Sequence, residues 1–259
     1  MKSKLKLFGI VALIAVIGLS MAGCNLFGDD DDGPDSHHLG TTLNLSGQVW
    51  TWNEDWDEFT GNRTVTSTPP GGTGGITNGQ LNFTIGRPTS GLESAGSLFD
   101  WTYNNFGWSI NVNPSYAMGA SLRLNTPNGF LNRGNETYTG TEISGTAIEE
   151  LVEYIFVDRD VTISAARLQG SWSEDGETWT YDARAFYITL REGWNALHWR
   201  FEGQWTATGG SETITLSAAS PGRWILIEWD GHAFSEDLEP SERTPLGRAG
   251  AFRPSRVRR

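Results

Sequence analysis

Residues 168–183 hold the densest set of groups that could do chemistry. Asp175-Gly176 is a strong two-residue hairpin signal. With that pair as the loop, Glu174 faces Glu177 and Trp172 faces Trp179 across the two strands. Gly170 and Tyr181 come next on the same side. Ser171, Ser173, Thr178, Thr180 and Asp182 fall on the other, so one face is aromatic and the other wet. Two uses follow. The rings can pack on a core while the glutamates sit at the exposed tip, as tryptophans on a sheet face usually do. Or they can form a sugar platform, with flat rings against the C–H faces of a pyranose and carboxylates accepting its hydroxyl hydrogens.

A second set is Trp194-Asn195-Ala196-Leu197-His198-Trp199-Arg200-Phe201. Strand alternation puts Leu197, Trp199 and Phe201 on one face and Trp194, His198 and Arg200 on the other. On a solvent face, Trp194, His198 and Arg200 would make a ligand wall. With no identified partner to orient it, His198 reads as structural rather than as an acid or base. A third set, Glu228-Trp229-Asp230-Gly231-His232, ends the last strong strand. Glu228 and Asp230 share a face about 6.5–7 Å apart along the backbone, a spacing that acid–base glycosidases allow but that any Glu-x-Asp on a strand provides. One family of jelly-roll glucanases uses a similar Glu-x-Asp followed by a third acid, and here Ala233 stands in that third place. The departure weighs against an enzyme.

The elements that must position these residues are strands. Residues 43–52 alternate, with Leu43, Leu45 and Val49 opposite Trp50 and Trp52. Further strands are expected at 79–85, 108–112, 120–124, 152–157, 161–165, 168–172, 178–181, 185–190, 194–201, 213–217 and 223–229. Asp158-Arg159-Asp160 reads as a turn held by aspartate side chains and a local arginine pair. The one helical pattern is 146–154, contested by the strand at 152–157. Short strands spaced by turn signals predict an all-β protein, a β-sandwich or jelly roll. Residues 41–230 form this region. A split near 125–145, rich in Gly, Asn and Thr, would make two small β domains in tandem; long loops there are the alternative.

The N-terminus reads differently. Lys2, Lys4 and Lys6 precede an apolar run of 13 residues, 7–19. It is too short for a span that needs about 20, and it has the flanks of a signal peptide's apolar region. Ser20-Met21-Ala22-Gly23-Cys24 then resembles the lipobox of bacterial lipoproteins, with Met21 where leucine is usual. The resemblance implies that residues 1–23 are a signal peptide and that Cys24, the only cysteine, carries acyl chains such as palmitate. Two or more chains are needed for a lasting hold on a bilayer. Residues 24–40, with Asp29 to Asp32 and His37-His38, read as an acidic tether. Contiguous aspartates lack the ligand spacing of a calcium loop.

Composition narrows the partners. After Cys24 every basic residue is arginine, 16 against 31 acids, and six of them lie in 243–259. The body is therefore strongly acidic, which argues against nucleic acid. Residues 231–259 read as a basic, disordered tail. With one cysteine no disulfide is available, and stability must come from a core. No zinc spacing, phosphate loop or nucleophile elbow is present, so no metal, cofactor or catalytic residue is expected.

Residues 152–164, 187–195 and 78–90 resemble segments of uncharacterised spirochaete lipoproteins. That resemblance implies a lipid-anchored protein of a two-membrane envelope, outer membrane or periplasmic face, with the leaflet open. It brings no catalytic residues. The expected function is a non-enzymatic envelope protein, binding or structural, whose partners are the membrane and a glycan or envelope protein. The alternative is a carbohydrate-binding module or a glycoside hydrolase using exposed tryptophans and paired carboxylates.

Overall fold

The computed structural model describes residues 38–51, 56–104, 109–141, 143–174, 176–218 and 222–228. Cys24 and the segments expected to be signal peptide and tether up to residue 37 lie outside the described residues. So do Trp52, Asp175, Trp229, Asp230, His232 and the arginine-rich tail, and the side chain of Glu174.

The first half contributes β1 (His38–Gly40), β2 (Leu43–Thr51), β3 (Arg63–Thr64), β4 (Thr66–Thr68), β5 (Thr73–Thr77), β6 (Gln80–Ile85) and β7 (Glu93–Ser94). A helix, α1 (Ala95–Asn104), is followed by β8 (Ile110–Asn113), β9 (Met118–Ser121) and β10 (Arg123–Thr126). Then come β11 (Gly129–Gly140), β12 (Gly145–Val157), β13 (Val161–Ala165), β14 (Leu168–Glu174) and β15 (Glu177–Ala183). The series ends with β16 (Phe186–Leu190), β17 (Gly193–Thr206), β18 (Gly209–Ala218) and β19 (Arg223–Glu228). The fold is all-β and sandwich-like, as the alternation predicts.

One large sheet runs β14-β15-β18-β17-β12-β11-β19-β2-β6-β5-β3, and a small one runs β16-β13-β8. Most pairs are antiparallel, but β15 with β18 and β19 with β2 are parallel. The long strands β12 and β17 are the centre, paired over 13 residues. Their alternate residues feed two cores, one on each face. Ile155, Val157, Leu197, Trp199 and Phe201 join Ile163, Leu190, Leu98 and Phe99 beneath the small sheet and α1. Tyr154, Phe156, Trp194 and Ala196 join Leu43, Leu45, Leu81, Phe83 and Trp224. The far end of the large sheet thus folds back over its own middle. Each fully buried side chain of this size contributes about 2–3 kcal/mol, so two cores stabilise a fold without a disulfide.

The structure corrects three local expectations. Residues 146–154 are strand, part of β12, because both of their faces are needed. A spacing of Ala147, Ile148 and Leu151 that suits a helix also serves a strand with apolar residues on each side. Residues 125–145, expected as loops or a boundary, hold most of β11, which pairs with β12, β19 and β10. His38–Gly40, expected as the end of a tether, pairs with Asn195 and Trp194 at the start of β17. The Asp158-Arg159-Asp160 connection is the expected turn: Asp158 accepts the Met118 N–H and pairs with Arg159.

Candidate functional site

The β14–β15 hairpin has the expected register, with Trp172 opposite Trp179 and Gly170 opposite Tyr181. Following the register across the sheet gives a longer row than the sequence suggested. It reads Gly140, Gly145, Trp205, Gly210, Trp179, Trp172 on strands β11, β12, β17, β18, β15 and β14. Every ring but the last has a glycine beside it. A Cβ at Gly145 would overlap the Trp205 ring, and one at Gly210 would overlap Trp179. The missing side chains let the indoles lie down against the sheet, the arrangement by which aromatic residues cover cross-strand glycines. Trp172 and Trp179 are stacked, with centroids 6.2 Å apart and planes 15° from parallel. Tyr181 lies over Gly170, its centroid 6.2 Å from that of Trp172.

All three indoles are half-buried, neither core nor free surface. The core packing expected from residue type holds only in part. The small sheet covers this face farther along β17, at Trp199 and Phe201, and leaves its outer end open. Two of the three indole edges are already engaged. Trp205 Nε1 donates to the Thr141 carbonyl at 3.0 Å, and Trp179 Nε1 donates to Glu177 Oε2 at 3.3 Å. Glu177 therefore orients a ring rather than standing apart at the hairpin tip. What these rings can offer a ligand is their faces.

Under the row sits Glu212, between Tyr181 on β15 and Gly203 on β17. It is 7 % exposed, its Oε1 has no hydrogen-bond partner, and it lines a narrow slot with Trp172, Trp179 and Trp205. Burial pushes its carboxyl up to about 7, with the charge of Glu149 adding to the effect. Glu149 on β12, opposite Glu136 of β11, is likewise pushed up to about 7 by burial and by Glu136. Trp205 and Glu212 escape the sequence reading because strands expected to stop at Phe201 and to start at Thr213 run on to Thr206 and from Gly209, and Glu149 because 146–154, expected as helix, is strand. The legible signal is continued alternation, Phe201-x-Gly203-x-Trp205.

The opposite face corrects the second constellation. Trp194, His198 and Arg200 do share a face, but Trp194 and His198 are buried and only Arg200 is partly exposed. Trp194 is fully buried in the second core, edge-on to Phe156, and donates to the Gly86 carbonyl at 3.1 Å. His198 is buried, its Nδ1 3.3 Å from Ser217 Oγ and its Nε2 3.5 Å from Glu150 Oε1. Burial lowers its pKa despite the neighbouring Glu150, so it rests neutral near pH 7. Arg200 bridges Glu150 at 2.9 Å and Glu202 at 2.7 Å. These residues wall no ligand site. Glu228, from the third constellation, is held at two points by Arg63.

Among the described residues no group of three or more His, Cys, Asp or Glu could hold a metal ion, and no helix is long and apolar enough to cross a membrane. No protein-family profile, curated protein or solved structure matches the chain.

Proposed function

We propose that this chain is a saccharide-binding protein of the bacterial envelope, held to a membrane by lipid on Cys24, with Trp172, Trp179 and Trp205 as its platform. One observation carries the binding half: three half-buried indoles lie in a single row, two of them laid over glycines and with their N–H groups tied to protein acceptors. Flat apolar faces beside acceptor oxygens suit a pyranose, whose C–H face is apolar and whose rim is hydroxyl. The anchoring half rests on the lipobox-like sequence before Cys24. The Glu228 carboxylate, one of the pair that the hydrolase alternative would use, is held by Arg63.

Titration calorimetry of the mature protein against a panel of neutral and charged oligosaccharides tests the platform. At least one should bind, and Trp172→Ala should weaken it by tenfold or more, about 1.4 kcal/mol. Absence of binding across the panel, or binding indifferent to Trp172→Ala, would sink this reading. Mass spectrometry of the native protein tests the anchor: a diacylglyceryl thioether on Cys24 is expected, and a free thiol there refutes it.

A further inference from the structure

One group beneath the indole row has no part in stacking. Glu212 is nine-tenths buried, faces the slot between Trp172, Trp179 and Trp205, and leaves its Oε1 without a partner. An unpaired buried carboxylate carries a desolvation penalty of several kcal/mol, which a proton or a cation relieves. A sugar hydroxyl would donate one neutral hydrogen bond. An ammonium would donate a charge-assisted one, roughly twice as strong.

The surroundings favour the cation. Glu149 and Glu136 continue the negative charge along the same face, and Gly203, across from Glu212, puts no side chain in the way. The facing positions around Glu212 include no arginine: Ala147, Gly203 and Tyr181 share its row. What acts on the Glu149 and Glu212 carboxyls is burial and other acids, both upward. Indole faces attract cations as well, tryptophan most of all. A uronic or sialylated sugar would meet repulsion here, and an N-acetylated one would bring no charge.

Resting on the saccharide reading above, we propose that the sugar taken by this platform carries a free primary amine, its ammonium held by Glu212 Oε1 at the face of Trp205. The ligand class is an amino sugar that is not acylated. Three oligosaccharides of equal length separate this from plain stacking: β-1,4-linked glucosamine, its N-acetylated form and the corresponding glucose oligomer.

Calorimetry of the full mature chain at pH 7 should give the free-amine oligomer at least a tenfold tighter Kd than either of the others. Glu212→Gln should erase that preference while leaving the weak binding of the neutral oligomers, and Glu212→Asp should keep a reduced preference. Trp172→Ala should weaken all three. Equal binding of the three oligomers by the native chain, or a preference that survives Glu212→Gln, overturns the amine proposal and leaves the platform standing. No binding of any kind defeats the platform itself. Spermine bound as tightly as the amino sugar would overturn the pyranose part. As a readout independent of folding in the variants, the Glu212 carboxyl resonance should titrate at lower pH once the free-amine oligomer is bound; an unmoved midpoint counts against the contact.

Discussion

Glu149 and Glu150 are neighbours on β12, yet the fold sends them in opposite directions. Glu150 points to the face where Arg200 and Asn135 donate to it. Burial alone would raise its carboxyl, but those hydrogen bonds and the charges of Arg200 and His198 bring it below the ordinary value. Glu149 points to the other face, where burial and Glu136 hold it near 7. Identical side chains one residue apart thus differ because a strand alternates. One face closes its charges among themselves, and the other buries Glu212 with an unpartnered oxygen beside three indoles. That asymmetry is what separates a structural patch from a site.

The comparison can be broken most forcefully through pH. An acid whose folded pKa is raised from about 4.5 to about 7 favours the folded state below the lower value, and that advantage is lost as pH rises through the higher. The ionisable groups on this face include Glu136, Glu149, Glu153, Glu177, Glu212, Tyr138 and Tyr181, and burial raises Glu153 as well, against the hydrogen bonds it accepts from Ser121 and Trp199. The unliganded protein should therefore lose stability between about pH 4.5 and 7, by up to about 3 kcal/mol for each carboxyl taken alone. Denaturant melts across that range should show the slope, and Glu212→Gln should flatten it and stabilise the protein at pH 8. Glu150 acts in the opposite sense, its contribution lost only below about 4.5. A profile that rises with pH through 7 contradicts the assignment of the open face.

Next in size is the closed face. Arg200→Ala leaves Glu150 and Glu202 without their shared cation. Because Arg200 is partly exposed and screened, the loss should be about 1–2 kcal/mol at pH 7. It should shrink below pH 4 as Glu150 takes a proton, and a pH-independent loss would mean that packing, not charge, is at work.

Gly145→Ala sharpens the contrast on the open side. The added Cβ collides with the Trp205 ring and with the backbone oxygen of Thr139, so the ring must lift and β11 give way, at about 1 kcal/mol of stability or more. Tryptophan fluorescence should shift to the red and sugar affinity should fall together; a fall in affinity without any ring displacement would point elsewhere. The smallest effect belongs to Glu177→Gln. It weakens an exposed hydrogen bond to Trp179, for which less than about 0.5 kcal/mol is expected in chemical denaturation.

Much of this was readable along the chain, and for definite reasons. The register of β14 and β15 followed from Asp175-Gly176, since a two-residue loop fixes every pair behind it. Strands such as β2 and β6 followed from clean alternation over one buried face. What escaped depended on distant segments. Nothing local reveals that β2 and β6 return to pack against Trp194 or that His198 is buried, so side chains that looked free are interior. The helix α1 was not expected; among its described side chains Ala95, Leu98 and Phe99 are buried. β12 is apolar on both faces because two layers press on it, and that reads locally as a helix. Glu212 and Trp205 were hidden by glycines, which look like loop residues until a ring from the next strand fills the space above them.

The pairing of β1 with β17 has a mechanical consequence. His38 meets the sheet beside Asn195, near the beginning of β17, whereas Trp205 stands close to its end. Ten residues of strand separate the two points, roughly 33 Å. Residues 25–37 can reach at most about 45 Å when drawn straight. If Cys24 is moored in a bilayer, a pull on the chain before His38 enters β17 at the end opposite the row of rings.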